Sequence, residues 1–304
     1  MEAPKKICII LNPVAGYGRS RKLLPEVGKI LRENGVQFDV VTTEGPRHAE
    51  ALAKEASEKG YRAVVAMGGD GTLGEVVNGV LSGSEGCIPV ATIPSGTGND
   101  FAGGNRLFSH WSHSIQALVR PVIRKMDVLL LKDAKGFSRY AINSVGFGFD
   151  AYVVQRVQEL GSKKVGRLSY MLEALRGLLA FKSLDVKVIV DGVEETVKNM
   201  WLCAVTNSEK YGGGMIVCPG ASSCDGVLNT VYLADVSRAS IVSLLFLVFR
   251  GRHVGRRGVH LQEAKEVIID APGFPCHIDG DTVNVTYPVS VRVVPQALPF
   301  FVKA

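Results

Sequence analysis

The feature that most restricts how this chain can fold is a glycine-rich turn that occurs three times, each time directly after a short apolar run. Lys6–Leu11 leads into Asn12-Pro13-Val14-Ala15-Gly16-Tyr17-Gly18-Arg19. Arg62–Met67 leads into Gly68-Gly69-Asp70-Gly71-Thr72, and Ile88–Ile93 into Pro94-Ser95-Gly96-Thr97-Gly98-Asn99-Asp100. Helical patterns alternate with these runs. Ser20–Asn34 carries Leu23, Leu24, Val27, Ile30 and Leu31 at helical spacing and stops at Gly35, His48–Lys59 is rich in alanine and stops at Gly60, and Leu73–Leu81 follows the second turn. Val36–Val41 reads as a further strand. Alternation of this kind predicts a parallel sheet with helices on both faces, a three-layer α/β domain. All three turns would then leave the carboxyl edge of the sheet, where ligands bind in such folds.

Beyond about Lys125 the texture changes. The strand-like runs Val128–Leu131, Arg139–Val145, Val186–Val190, Met200–Thr206, Leu228–Leu233, Val267–Asp270 and Val289–Val294 follow one another. Two helical stretches interrupt them, Arg167–Phe181 and Ser240–Arg250. Turn signals such as Asp191-Gly192 predict antiparallel pairing and a β-sandwich. The expected division is an α/β domain over 1–125, with the tail at about 293–304 packing back on it, and a mostly antiparallel β-sandwich domain over 126–292. A length of 304 residues suits two domains.

Composition narrows the function classes. With 46% hydrophobic and 21% charged residues the chain is neither disordered nor a small disulfide-stapled scaffold. A net charge of +6 suits an acidic ligand, a phosphate or an anionic membrane surface; it is too modest for nucleic acid, and no aromatic-basic platform occurs. The six cysteines form no C-x-x-C pair, and the six histidines have no metal-ligand spacing, which argues against zinc. The start of the chain does not read as a signal peptide, and Ile241–Phe249 is too short to cross a bilayer. The expectation is a cytoplasmic protein in a reducing compartment.

Gly68-Gly69-Asp70-Gly71-Thr72 carries the strongest chemical signal. Three glycines allow backbone N–H groups to approach a phosphate, and the following helix adds partial positive charge at its N-terminus. Asp70 beside phosphates implies a magnesium ion between them. The alternative is a tight turn with Asp70 as the N-cap of its own helix. Each of the other turns alone reads as an ordinary connection; the three together point to a phosphate ligand. No G-x-x-x-x-G-K-[ST] is present, which argues against a P-loop NTPase, and none of the three turns reads as a dinucleotide fingerprint, although Gly69-Asp70-Gly71-Thr72-Leu73-Gly74 has the bare G-x-G-x-x-G spacing.

N-P-x-A-G-x-G, G-G-D-G-T and P-x-G-T-x-N-D-F-A, in this order and at these separations, resemble the catalytic domain of diacylglycerol kinases, most closely the soluble bacterial lipid kinases of that group. Sphingosine, ceramide and NAD kinases are related. Pro219–Leu228, Gly251-Arg252-His253 and Ile278–Asp281 resemble landmarks of the second domain, so the likeness spans nearly the whole chain. The resemblance implies an NAD kinase/diacylglycerol kinase-like fold and a kinase that uses ATP and Mg2+ on a lipid hydroxyl. Asn12, Pro13, Ala15, Gly16, Thr43, Gly68, Gly69, Asp70, Gly71, Thr72, Gly74, Ser95, Gly96, Thr97 and Asn99 match its ATP-binding elements. Asp70 would organise the magnesium and phosphates. Asp279 or Asp281 would be the general base, and Asp225 with the backbone oxygens near Ser222 and Val227 the metal loop.

Three departures stand out: Gly74 where the family commonly has Asn, Asp281 where it has Glu, and Cys224 where an acidic residue often precedes the metal-loop Asp-Gly. They keep a catalytically weak lipid- or nucleotide-binding module open, and an NAD kinase-like enzyme is a second alternative. Asp279-Gly280 also reads as a plain hairpin turn. Phe147, Phe149, Tyr152, Tyr170, Leu172, Leu175, Gly177–Phe181 and the Ile241–Phe249 helix are candidates for an apolar lipid pocket, or simply core. Lys163, Lys164 and Arg167, and Arg250, Arg252, His253, Arg256 and Arg257, are candidates for peripheral contact with an anionic membrane, or a solvated face. A homodimer is compatible with all of this.

Overall fold

The computed structural model describes residues 6–83, 88–108, 110–159 and 167–303, with the backbone alone for 167–170. The chain forms two compact units: residues 1–127 with 296–304, and residues 128–295.

Unit 1 begins with β1 (Ile7–Leu11), α1 (Ala15–Glu33), β2 (Phe38–Thr42), α2 (His48–Glu58), β3 (Ala63–Gly68), α3 (Asp70–Leu81) and β4 (Val90–Pro94). The short α4 (Asp100–Gly104) and α5 (Trp111–Val119) follow. The sheet order is β2-β1-β3-β4, all parallel, and the end of the C-terminal strand adds to β4 with Phe300 opposite Val90. Alternation along the strands explains the layers. Ile7, Ile9, Leu11, Ala63, Val65, Met67, Ala91 and Ile93 pack with Val27 and Leu31 of α1 and Ile115 and Leu118 of α5. The intervening Cys8, Ile10, Val64 and Ala66 are buried too, so the other face is covered as well, and α2 packs against β1 and β3 there. A sheet buried on both faces needs continuous apolar strands, and runs without polar alternation such as Ile7-Cys8-Ile9-Ile10-Leu11 supply them. Register places Leu11 opposite Met67, and Gly68 opposite Pro94. The three strands therefore end level, and their turns share one edge.

Unit 2 contains β5 (Pro121–Asp133, which starts in unit 1), β6 (Ser138–Ala141), β7 (Ser144–Gly148), α6 (Phe149–Glu159), α7 (Arg167–Ala180), β8 (Leu184–Val190) and β9 (Val193–Thr206). It continues through β10 (Lys210–Tyr211), β11 (Met215–Ile216), β12 (Leu228–Ala234), α8 (Arg238–Leu247), a 3-10 turn at Val248–Arg250, β13 (Val259–Ala264), β14 (Glu266–Asp270), β15 (Cys276–Ile278), β16 (Asp281–Val283) and β17 (Val289–Lys303). Neighbours run β16-β15-β7-β9-β8-β14-β17, and β12 joins β9 and β13; these pairings are antiparallel. β9 is long enough to serve three partners: its first half pairs β8, its second half β7 and β12. The Asp191-Gly192 turn has positive φ at both residues (+46° and +86°), the backbone twist a two-residue hairpin needs.

Two sequence expectations need correction. Arg139–Val145 is two strands rather than one, broken at Ile142-Asn143, whose N–H groups are used elsewhere. The core also absorbs most of the Gly177–Phe181 stretch offered as lipid-facing. Leu178 and Phe181 are buried beside Phe149 and Trp201, and Leu179 alone of its large side chains is strongly exposed.

Candidate active site

The three turns of unit 1 are tied to one another by specific contacts. The Asn12 amide donates to Thr72 Oγ1 at 3.0 Å, and its oxygen accepts the Val14 N–H. Gly16, Tyr17 and Gly18 all have positive φ, which turns the chain back toward the third loop. A Cβ on Gly16 would overlap the Ser95 carbonyl oxygen, so only glycine allows this approach. Buried Ser20 and Ser95 share a hydrogen bond of 2.7 Å between hydroxyls. Gly69 and Gly96 bring their backbones into contact, where a Cβ on Gly96 would collide with the Gly69 backbone.

Asp70 joins the second and third turns. Its Oδ2 accepts the Asp100 N–H and its Oδ1 the Phe101 N–H, both at 3.0 Å. It therefore caps α4, and not its own helix α3, whose N-cap is Gly69. Each oxygen keeps a second lone pair, so magnesium could be held directly or through water. Asn99 bridges Gly96 with both ends of its amide, at 3.0 and 3.1 Å, and shapes the third turn from within. Thr43 is buried and donates its backbone N–H to Leu11. Gly68 and Gly74 are buried, Pro13, Ala15, Gly69 and Asp70 are half-buried, and Gly71, Thr97 and Gly98 are exposed. The Gly74 carbonyl accepts the Asn78 amide. An edge of exposed glycines and Thr97, framed by fixed turns and the α3 N-terminus, suits a phosphate chain.

In unit 2, Asp279 and Asp281 separate. Asp279 opens the two-residue turn between β15 and β16, with φ +50°, and Gly280 follows at +87°. Its Oδ2 accepts the Ile142 N–H at 2.8 Å, and its Oδ1 the N–H groups of Asn143 (2.8 Å) and Ser144 (2.9 Å). Asp279 thus fastens the hairpin to the break between β6 and β7. Asp281 begins β16 and its side chain reaches solvent. The protein crowded around its carboxyl raises its pKa above the usual Asp value, offset in part by the Arg139 guanidinium.

An apolar pocket of about 110 Å³ opens elsewhere in this unit. Ile241, Leu244, Leu245 and Val248 of α8 and the following turn form one side, with Ala174, Phe149 and Val153 among the residues opposite. Polar groups are few: Asp150, Tyr211 and His253. His253 donates Nε2 to the Val217 carbonyl at 2.9 Å, its Nδ1 has no hydrogen-bond partner, and burial lowers its pKa. Of the lipid-pocket candidates, Phe147 is core, Leu172 and Leu175 face solvent, and the Tyr170 side chain lies outside the described residues.

The Ser222–Val227 loop is an Asx-type turn. Asp225 Oδ1 accepts the Val227 N–H at 3.2 Å, and Ser222 Oγ accepts the Cys224 N–H at 3.3 Å. Asp225 is exposed, and among the described residues no group of three or more His, Cys, Asp or Glu side chains comes together. A metal here would rely on one carboxylate, backbone oxygens and water.

Sequence reasoning missed several residues that hold these sites. Glu75 accepts the Arg47 and Ala49 N–H groups and so caps α2. Asp150, Tyr211 and His277 form a buried hydrogen-bonded group, and Gln158 grips the Gly280 carbonyl. A signal existed for Asp150, which follows Gly148-Phe149 at a strand-to-helix junction; Tyr211 and Gln158 had none.

An α/β unit with phosphate-compatible turns on its carboxyl edge, followed by an antiparallel β-sandwich, defines a class that includes phosphotransferases. The structure is similar to that of a diacylglycerol kinase from Bacillus anthracis (TM-score 0.72, 19% identity, 98% of this chain and 97% of that one). It is also similar to yeast NADH kinase (TM-score 0.52, 13% identity, 99% and 83%). Residues 6–131 match the diacylglycerol kinase catalytic domain, and residues 143–302 the YegS C-terminal NAD kinase beta sandwich-like domain. A diacylglycerol kinase of Mycobacterium tuberculosis is 30% identical over 297 residues, 96% of this chain and 94% of the relative. One from Staphylococcus carnosus is 27% identical over 279 residues, 91% and 89%. The chain belongs to the diacylglycerol kinase family of lipid kinases, and its family activity is phosphoryl transfer. No described helix is long and apolar enough to cross a membrane.

Proposed function

We propose that this chain is an ATP- and magnesium-dependent lipid kinase that transfers the γ-phosphoryl group to a hydroxyl of diacylglycerol or a related lipid. The observation that carries the lipid reading is the apolar pocket of unit 2, which offers hydrocarbon what it needs and a dinucleotide little. The knitted turns of unit 1 support a nucleotide triphosphate: their exposed backbone N–H groups and Thr97 bind the phosphates. Asp70 and phosphate oxygens would hold magnesium, whose charge offsets that of the transferring group. Asp70 also fixes the turns, so it orients as well as charges the site.

Asp281 is the better base. The Asp279 oxygens are spent on three backbone N–H groups, whereas Asp281 reaches solvent. Its raised pKa makes it a stronger proton acceptor than an ordinary Asp. It takes the hydroxyl proton as the lipid oxygen bonds to the γ-phosphorus and the bond to the β-phosphate oxygen breaks.

Contact with an anionic membrane is supported by exposed Phe246 on α8 and exposed Arg250, Arg252, Arg256 and Arg257 just after it. Lys163 and Lys164 lie outside the described residues, as does the Arg167 side chain.

The test is ATP consumption with magnesium against mixed micelles of diacylglycerol, monoacylglycerol, sphingosine, ceramide and phosphatidylglycerol, with NAD in parallel and Asp281→Asn beside the native protein. The expected result is transfer to one lipid, lost in the variant while ATP still binds. Transfer to NAD alone, or binding of ATP without transfer to any acceptor, would overturn the proposal.

A further inference from the structure

His277 stands between the hairpin that carries Asp281 and the wall of the apolar pocket. Its ring is buried, 1% exposed. The Gly280 N–H points at Nδ1 from 3.3 Å. A backbone N–H can only donate, so Nδ1 accepts and carries no proton. The proton of the neutral ring then sits on Nε2, which donates to Asp150 Oδ2 at 3.2 Å. The Tyr211 hydroxyl donates to the same oxygen at 3.1 Å, and Asp150 Oδ1 takes the Ala151 N–H at 2.8 Å. Asp150 and Tyr211 both line the pocket. Gly146 lies against the pair, and a Cβ there would overlap both His277 Nε2 and Asp150 Oδ2. That glycine is a condition for the pair to form.

Gly280 is the second residue of the turn, and Asp281 follows it directly. Asp279 is fixed by its carboxylate. The peptide groups of Gly280 are held separately: its N–H by His277, its carbonyl by the Gln158 amide at 3.1 Å. Gln158 also accepts from the Thr282 hydroxyl at 2.8 Å. If the Gly280 N–H lets go, the backbone leading into Asp281 loses one of its anchors. At a reacting centre a shift of about 1 Å can cost about 10²-fold in rate.

We propose that His277, protonated on Nε2 and held by Asp150 and Tyr211, is a positioning residue that ties the pocket wall to the Gly280 peptide and so sets where Asp281 meets the lipid hydroxyl. This rests on the reading of Asp281 as the base.

Two variants divide the roles of the ring. His277→Asn puts a carbonyl oxygen where Nδ1 sits and keeps the Gly280 anchor. His277→Gln puts an amide where Nε2 sits, keeps the tie to Asp150 and loses the anchor. The expected result in His277→Gln is a fall in kcat of about 10²-fold, with KM for ATP and lipid nearly unchanged. His277→Asn should recover at least about tenfold of that loss. Nitrogen-15 spectra of the native protein should show an unprotonated Nδ1 and a protonated Nε2 at His277. The Gly280 amide should exchange faster in His277→Gln than in His277→Asn. Equal losses in the two variants of an active enzyme, or a protonated Nδ1 at neutral pH, would overturn this proposal alone. No transfer by the native protein to any lipid would defeat the kinase reading and this proposal with it.

Discussion

Asp279 and Asp281 are two residues apart, yet the hairpin gives one to the backbone and the other to solvent. Replacing Asp279 by Ala strips three N–H groups of their acceptor. The expected cost is about 2–3 kcal/mol of stability, read by urea denaturation. Asp281→Asn keeps the fold and loses turnover. The pH dependence has a definite sign. Crowding raises the Asp281 pKa, so the base takes up its proton at a higher pH than an ordinary carboxyl. In kcat/KM against pH, activity should fall on acidification through a point above the usual value of about 3.9; a limb at or below it would contradict the assignment. In unit 1 the sharpest test is Gly16→Ala. Its φ of +58° and the Ser95 carbonyl leave no place for a methyl group. ATP affinity, measured by calorimetry, should fall while the far-ultraviolet spectrum stays the same.

At the scale of elements, α8 does two things. Its inner side lines the pocket through Ile241, Leu244 and Leu245, and near its end come the exposed Phe246 and, just after the helix, the exposed arginines. Leu244→Trp should fill the pocket and raise KM for the lipid about ten- to a hundredfold, with KM for ATP unchanged; equal changes in both would show a general loss of fold instead. Replacing Arg256 and Arg257 by Gln should weaken binding to anionic vesicles about 30-fold, at about 1 kcal/mol for each basic residue. Sedimentation with phosphatidylglycerol vesicles reads this directly, and it should vanish with neutral vesicles. Continuous apolar runs made the strands of unit 1 legible and helical spacing its helices, because a sheet buried on both faces leaves little freedom in sequence. The short strands β15 and β16 were not legible as strands. Three residues carry too little periodicity, and what holds them is Asp279 and Gln158 acting over long stretches of chain.

For the whole molecule, the decisive connection is β17, which starts in the second unit and ends in the first. Leu298, Phe300, Phe301 and Val302 are buried in unit 1, and Phe300 packs on Phe101 with ring centroids 5.3 Å apart. At about 2 kcal/mol for each buried side chain, their loss rivals the whole stability of a domain, about 5–15 kcal/mol. A chain ending at Pro295 should therefore lose the cooperative unfolding of unit 1 in calorimetry, although it keeps all three glycine turns.

The order of elements, the change from alternating to successive strands, and the three turns with their family likeness are all legible in the residues alone. Those properties are local, written in spacing and in glycine. The sequence could not tell which backbone N–H donors each carboxylate accepts from. Asp70 lies at the start of α3 by sequence, yet caps α4, because β3 and β4 are neighbours whose ends lie level. Asp279 reads as half of a hairpin turn, yet its oxygens close on residues 142–144, more than a hundred positions away. His277 reads as a buried histidine beside a motif, and only the tertiary structure puts Asp150 at one nitrogen and Gly280 at the other. A hydrogen bond is decided within about 3 Å, and that distance is set by strand register and packing across the fold.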